Sequence, residues 1–307
     1  MSVAESSALK ILVIGGSGFL SGTIATYALG AGHEVWTLTR GSRTLPPGVR
    51  SLLADRHDDS AWRKAVSHKE SHWDLVVDCI AYESADARQD IETFKDRASH
   101  LVMISTDFVY ATEHRGIPIA EEGVTYQSSG YGGKKRQCEE VLEEDAGSIP
   151  WTILRPTHIY GPGSLPGCLP LHSRDEHLLE RIAGDSPLVL VGGGYFLQQP
   201  VFARDIAEIC LAIPTTPGAA GGIFNVAGPD TVEARQYYDT IASILGKEAT
   251  ILETSASEYL RAHPDHAPFL AHRVFDLRRL SSAGLPLPGT ALADGLREHV
   301  TYLLAQG

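Results

Sequence analysis

The stretch KILVIGGSGFLSG, residues 10–22, passes from an apolar run through closely spaced glycines into a helical pattern. An apolar run too short for a helix reads as a strand buried on both faces, which places residues 10–15 inside a parallel sheet. The helix after the turn is predicted over residues 19–30, where Gly30 and Gly32 end it. Working outward, residues 33–39, 49–54, 73–79, 100–105 and 151–155 repeat the strand pattern, with helical segments at 60–66, 85–98 and 131–145 between them. Strands that alternate with helices need crossover connections, so the expected fold class is α/β, a doubly wound parallel sheet. Beyond Tyr160, Gly161, Pro162, Gly163, Pro166, Gly167 and Pro170 mark a long loop of the kind that carries function. A smaller C-terminal lobe is expected mainly after it. The division is 1–160 for the sheet domain and 161–307 for the lobe, with segments near 203–227 returning to the sheet: a helix at 203–212 and a strand at 222–227. Further helices are predicted at 234–245 and 291–304.

A chain of 307 residues suffices for such a pair of units. With 43% hydrophobic and 21% charged residues, it is expected to fold throughout. The 38 acidic against 26 basic residues give a formal charge of -12, which repels a polyanion, so no nucleic-acid partner is expected. An anionic small ligand stays open, because a helix N-terminus and a few arginines can hold phosphate inside an acidic envelope. Cys79, Cys138, Cys168 and Cys210 form no CxxC pair, which suggests neither a zinc ribbon nor a disulfide ladder and points to a reducing cytoplasm. Residues 1–9 read as a loose tail. The run from Ile11 to Ile14 is too short for a signal-peptide core, and no stretch reaches the length of a membrane span, so no membrane partner is expected.

In the turn, Gly15 permits the tight bend, and Gly18 lets the backbone of Ser17, Phe19 and Leu20 approach a pyrophosphate held by helix amides. Ser21 stands where a third glycine is usual and is small enough for close packing. The unit is thus a dinucleotide-binding Rossmann candidate. No carboxylate follows the second strand to accept from a ribose diol. Arg40, with Arg43 nearby, suits a 2′-phosphate instead, so NADP is the expected cofactor and NAD a possible one. Tyr131 and Lys135 are spaced YxxxK, which puts them on one helix face. An ammonium and a nicotinamide cation near the phenol would favour phenolate, making Tyr131 a proton-transfer group, and the same lysine could hold the nicotinamide ribose. His263, Asp265, His266 and His272 do not make a metal site, because Pro264 breaks helical presentation. Glu139, Glu140, Glu143, Glu144 and Asp145 read as a solvated helix face.

The glycine turn and YxxxK occur together with STDFVY at 105–110, RPTHIYGPG at 155–163, Asp205 in FARDIA and FNVAGP at 224–229. In this order and spacing the chain resembles the extended short-chain dehydrogenases/reductases, the family of nucleotide-sugar epimerases, dehydratases and reductases, over nearly its whole length. The resemblance implies that Thr106 hydrogen-bonds the reacting oxygen. It implies that Asp55 and Arg56 lie on the adenine side, with Ala81, Pro156 and His158 also at the cofactor. Tyr82, Asp107 and His158 would border the substrate. It further implies a homodimer. Three positions depart from the family. Phe108 replaces the glutamate that follows the aspartate in 4,6-dehydratases, His158 replaces an asparagine, and Cys79–Tyr82 reads CIAY rather than HLAA. The expected function is therefore NAD(P)-dependent oxidation, reduction or epimerisation at a hydroxyl or carbonyl carbon of a sugar-like small molecule that need not be a standard nucleotide sugar. A second expectation is a non-catalytic dinucleotide-binding sensor or RNA-associated relative, since this fold hosts such proteins. The intact Thr106, Tyr131 and Lys135 set argues against it.

Overall fold

The computed structural model describes residues 8–67, 72–112 and 116–306, so residues 1–7 of the expected tail lie outside the described residues. Strands β1 (Lys10–Ile14), β2 (Glu34–Thr39), β3 (Arg50–Leu53), β4 (Leu75–Asp78), β5 (Leu101–Ile104) and β6 (Trp151–Pro156) join Gly222–Val226 in one sheet. Its order is Gly222–Val226, β6, β5, β4, β1, β2, β3, and every pairing is parallel. Ile11 to Ile14 are fully buried. Ile11 and Val13 face one hydrophobic cluster, with Ile24, Ala25 and Ala28 of α1 (Phe19–Gly30) and Ile206 and Ile209 of the helix Ala203–Ala212. Leu12 and Ile14 face the other, with Trp62 of α2 (Asp59–Val66), Phe94 of α3 (Ser84–Phe94) and Leu142 of α4 (Gly130–Asp145). The two-sided burial explains the unbroken apolar runs, and the architecture is the doubly wound Rossmann type.

Two details position the site. β1 lies between β2 and β4, so the strand order reverses there and a crevice opens at the carboxyl ends of these strands. Helix α4 reaches that crevice because its first turn carries glycines. A Cβ on Gly132 would stand 1.9 Å from the Phe108 carbonyl oxygen, and one on Gly133 would stand 2.7 Å from the Ser128 carbonyl carbon. Side chains there would lift the helix, and Tyr131 with it, off the end of β5. Helix α3, expected to reach residue 98, stops at Phe94, since Ala98 pairs in parallel with Trp73 ahead of β4.

A third cluster lies beyond the loop after Tyr160. It gathers Leu178, Ile182, Tyr237, Tyr238, Ile241, Leu296 and Val300 around the strand Leu188–Val191, which pairs in parallel with Ile251–Thr254. Among the described residues no helix is long and apolar enough to cross a membrane.

Candidate active site

The glycine turn takes its shape from backbone and from one hydroxyl. Gly15 has φ +93, and a Cβ on Gly16 would meet Thr37 at 2.2 Å, so neither position admits a side chain without rearrangement. The Ser17 and Gly18 amides donate to the Gly15 carbonyl at 2.6 and 3.1 Å. Ser21 adds a staple: its hydroxyl donates to the Gly15 carbonyl at 2.6 Å and accepts from the Gly18 amide at 3.1 Å. The residue in the third glycine's place thus closes the loop as well as packing closely. Helix α1 has no acidic residue in its first turn, and its leading amides, those of Phe19 and Leu20, have no acceptor within the helix, which suits an anion.

Beside this turn lies a cavity of about 470 Å³, walled by Arg40 and Arg43 after β2, Asp55 and Arg56 after β3, and Ile80 and Tyr82 after β4. The guanidinium groups of Arg40 and Arg43 have no partner among the described residues. Arg56, expected to reach the adenine side, is largely consumed elsewhere. It is buried and pairs with Asp78 at 2.8 Å, Asp86 at 3.1 Å and Asp90 at 3.1 Å. Burial and the adjacent Asp78 push the Asp90 carboxyl well above the usual carboxylate range. The cluster stiffens the cavity wall and leaves Arg56 few free donors for a ligand. The cavity fits a dinucleotide: a helix start for the pyrophosphate, a slot for adenine, and unpaired arginines at the ribose edge.

The reacting centre forms where β5 ends. Thr106 caps the short turn Asp107–Val109, its hydroxyl accepting from the Phe108 amide at 3.2 Å. Although 51% of Tyr131 is exposed to the cleft, desolvation is the largest influence on its phenol. With Tyr82 and Asp107 it pushes the pKa up to about 12, against the opposing influences of Thr106 and Arg174. Tyr82 and Phe108 flank the Tyr131 ring at 6.5 and 6.3 Å between centroids. Among the described residues Lys135 makes no direct hydrogen bond to the Tyr131 phenol. Its buried ammonium donates to the carbonyls of Ala81 and Ile104, both at 2.7 Å, and lies 5.6 Å from the Tyr82 ring centre. Those two carbonyls give it a better partner than a protonated phenol, and burial pulls its pKa down.

Other expected residues are placed as follows. Pro156 ends β6 opposite Val226. The His158 ring packs edge-on to Tyr237 at 5.7 Å, its Nε2 is buried without a partner, and burial holds it well below the usual histidine range. Asp107 is almost wholly buried, and its Oδ2 accepts from Arg273 at 2.6 and 2.5 Å, while Arg273 also donates to Gln198 at 3.3 Å. Glu139 corrects the solvated-face reading of α4. It is fully buried, accepts from Ser105 at 2.5 Å, and pairs with Arg155 of β6 at 3.0 and 2.7 Å. Arg155 goes on to the Tyr110 hydroxyl at 2.9 Å, which donates to Asn225 at 2.5 Å. This network ties α4 to β5, β6 and Gly222–Val226, and the sequence reading missed it.

Sheet topology and glycine turn together define a Rossmann-type dinucleotide-binding fold. The chain belongs to the NAD dependent epimerase/dehydratase family, whose profile matches residues 11–98 and 89–227. It is 24% identical to the chloroplast stem-loop binding protein of 41 kDa b of Arabidopsis thaliana, over 90% of this chain and 72% of that one. It is also 24% identical to the 2'-dehydrokanamycin reductase of Streptomyces kanamyceticus, over 99% and 87% of the two chains. Among solved structures, UDP-glucose 4-epimerase of Thermus thermophilus in complex with NAD superposes with a TM-score of 0.77 at 21% identity, covering 97% of this chain and 100% of that one.

Proposed function

We propose that the protein is an NADP(H)-dependent reductase of a carbonyl group on a sugar-like small molecule. The observation that carries this reading is the half-exposed Tyr131 phenol, whose pKa desolvation pushes up to about 12, on the helix that packs against the turn capped by Thr106. A protonated phenol is an acid, which suits delivery of a proton to a carbonyl oxygen, whereas oxidation or the first half of an epimerisation asks the same group to act as base. A nicotinamide held there would supply the hydride. Thr106 orients the substrate oxygen, Tyr131 gives it the proton, and Lys135 holds the floor beneath Tyr82 and would meet the nicotinamide ribose. The Gly15–Gly18 turn with Phe19 and Leu20 would hold the pyrophosphate. Ala81, Pro156 and His158 border the nicotinamide end, and Asp55 borders the adenine end. Residues 1–160, with 203–227, would form the cofactor domain and the remainder the substrate lobe. The similarity to 2'-dehydrokanamycin reductase supports a reductase on an amino-sugar-like compound.

NADP(H) is chosen over NAD(H) because Arg40 and Arg43 stand unpaired at the ribose edge of the cavity. Arg40→Ala should lose about ten- to hundredfold in NADPH affinity and little in NADH affinity, as read by fluorescence titration of both reduced cofactors. Equal losses for both, or a wild-type preference for NADH, would reject the assignment. Standard nucleotide-sugar reactions should fail. Incubation with dTDP-glucose should yield no 4-keto-6-deoxy product, since Phe108 replaces the glutamate and Asp107 is paired with Arg273. Interconversion of UDP-glucose and UDP-galactose should be slow or absent, and its efficient observation would refute the reading.

The similarity to a stem-loop binding protein favours one rival, a dinucleotide-binding protein that meets RNA. The formal charge of -12 opposes it. Salt-sensitive RNA affinity, without cofactor turnover on a panel of carbonyl sugars, would decide for the rival.

A further inference from the structure

The rings around Tyr131 form a continuous aromatic wall to which the chemistry at Thr106, Tyr131 and Lys135 gives no task. It starts at the rim of the cofactor cavity with Tyr82, which is 49% exposed and whose ring centre lies 6.5 Å from that of Tyr131. Phe108 carries it on, 6.3 Å from Tyr131, and Phe269 ends it, meeting Phe108 edge to face at 4.8 Å. Tyr82 and Phe108 both stand at positions that depart from the family pattern, and each departure brings a ring against the reacting phenol. Two separate segments thus differ in the same chemical direction.

Phe269 comes from much later in the chain and is braced on two sides. Its neighbour Leu270 is buried in the third hydrophobic cluster. On the other side the His266 ring packs edge-on to Phe269 at 5.8 Å, shares a hydrogen bond through Nδ1 with the Tyr259 hydroxyl at 2.8 Å, and stacks on His263 at 5.3 Å. Tyr259 itself belongs to the helix Ala256–Ala262. A ring held in this way is a fixed part of the cleft.

The surface it completes is apolar. Arg273 lies over the Phe108 ring at 4.7 Å, but it is almost wholly buried, as is Asp107, with which it pairs. Phe108 and Phe269 themselves are only partly buried. Adjoining phenyl rings left facing water gain most when an apolar group covers them. A hydroxyl pressed against them would give up its hydrogen bonds to water and recover none from the rings.

We propose that Phe108 and Phe269 are specificity-determining residues that receive an apolar group, aliphatic or aromatic, carried by the substrate beside its reacting carbonyl carbon. This rests on reading Tyr131 as the reacting centre, and it narrows the substrate to a sugar-like carbonyl compound that is deoxygenated or aryl-substituted on that side.

Three α-hydroxy ketones test it: dihydroxyacetone, hydroxyacetone and 2-hydroxyacetophenone differ only in carrying hydroxymethyl, methyl or phenyl beside the carbonyl. Ligand-observed NMR reads their binding to the full chain saturated with NADP+ or NAD+, whichever binds more tightly, so that no carbonyl is reduced. Affinity should rise from dihydroxyacetone through hydroxyacetone to 2-hydroxyacetophenone, over a span of about tenfold or more. Phe269→Gln should shrink the span to about threefold or less, and Phe269→Leu should keep most of it. Cofactor affinity should stay unchanged in both variants, which separates a lost contact from a lost fold. Equal affinity for the three ketones, no binding of 2-hydroxyacetophenone, or a span that survives Phe269→Gln overturns the inference. A span that depends on Phe269, together with no oxidation of NADPH or NADH by any of these ketones or by a carbonyl sugar, would keep the apolar subsite and reject the reductase reading.

Discussion

Tyr131→Phe is expected to lower turnover about a hundred- to ten-thousandfold while cofactor affinity stays within a few-fold of wild type. The substitution removes one hydroxyl and leaves the ring, which packs between Tyr82 and Phe108 at the mouth of the cleft. Thr106 keeps its bond from the Phe108 amide, so the end of β5 holds its shape. Any loss therefore reports on proton delivery rather than on folding. The comparison needs initial rates of NADPH oxidation with a carbonyl compound that the wild type reduces, plus a cofactor titration of both proteins. The pH dependence adds a sign. With the phenol pushed up to about 12, its acidic form persists throughout the neutral range. Reduction should be insensitive to this group between about pH 6 and 9, and oxidation of the matching alcohol should rise with pH as more phenolate becomes available. Near wild-type rates in the phenylalanine variant would sink the proposed mechanism.

Arg155→Ala is expected to cost about 3–5 kcal/mol of stability, because it strands the charge of a partner that is itself wholly buried. Glu139 has no access to water, and its remaining partners, Ser105 and Arg136, do not replace two short bonds from one guanidinium. The Tyr110 hydroxyl loses a donor at the same time. Urea denaturation midpoints read the loss. Added salt should not diminish it, since ions cannot screen a pair with no exposed surface. The double variant Arg155→Ala, Glu139→Ala should lose less than the two single losses summed, because removing both partners leaves no orphaned charge. A loss below about 1 kcal/mol in the single variant would show that the pair does not hold α4.

The sheet was legible because its cause is local. The apolar runs from Ile11 to Ile14 and from Leu75 to Val77 are buried on both faces, and they declare that in sequence without reference to any partner. The glycine turn was legible for a similar reason, although the hydroxyl staple of Ser21 depends on a bend that only the fold supplies. Side chains whose fate is decided by distant partners were not legible. Glu139 belongs by spacing to a run of acids on one helix, and only Arg155 on a neighbouring strand draws it inside. Arg56 follows an aspartate in the manner of an adenine contact, yet Asp78, Asp86 and Asp90 converge on it from β4 and α3. Lys135 shares a helix face with Tyr131, but the carbonyls of Ala81 and Ile104 lie within its reach and its ammonium goes to them. Arg273 sits in irregular chain, where periodicity carries no information and position comes from its own bonds.

Asp107 follows β5 and Arg273 comes from the chain 166 residues later, and each is almost wholly buried against the other. The two stretches are therefore not interchangeable parts. A replacement segment that lacks an arginine at this place would leave a naked carboxylate one residue from Thr106, where it would raise the pKa of the Tyr131 phenol further. The pair acts as a compatibility key between the two stretches, so a change of specificity made by exchanging one of them has to carry both residues together.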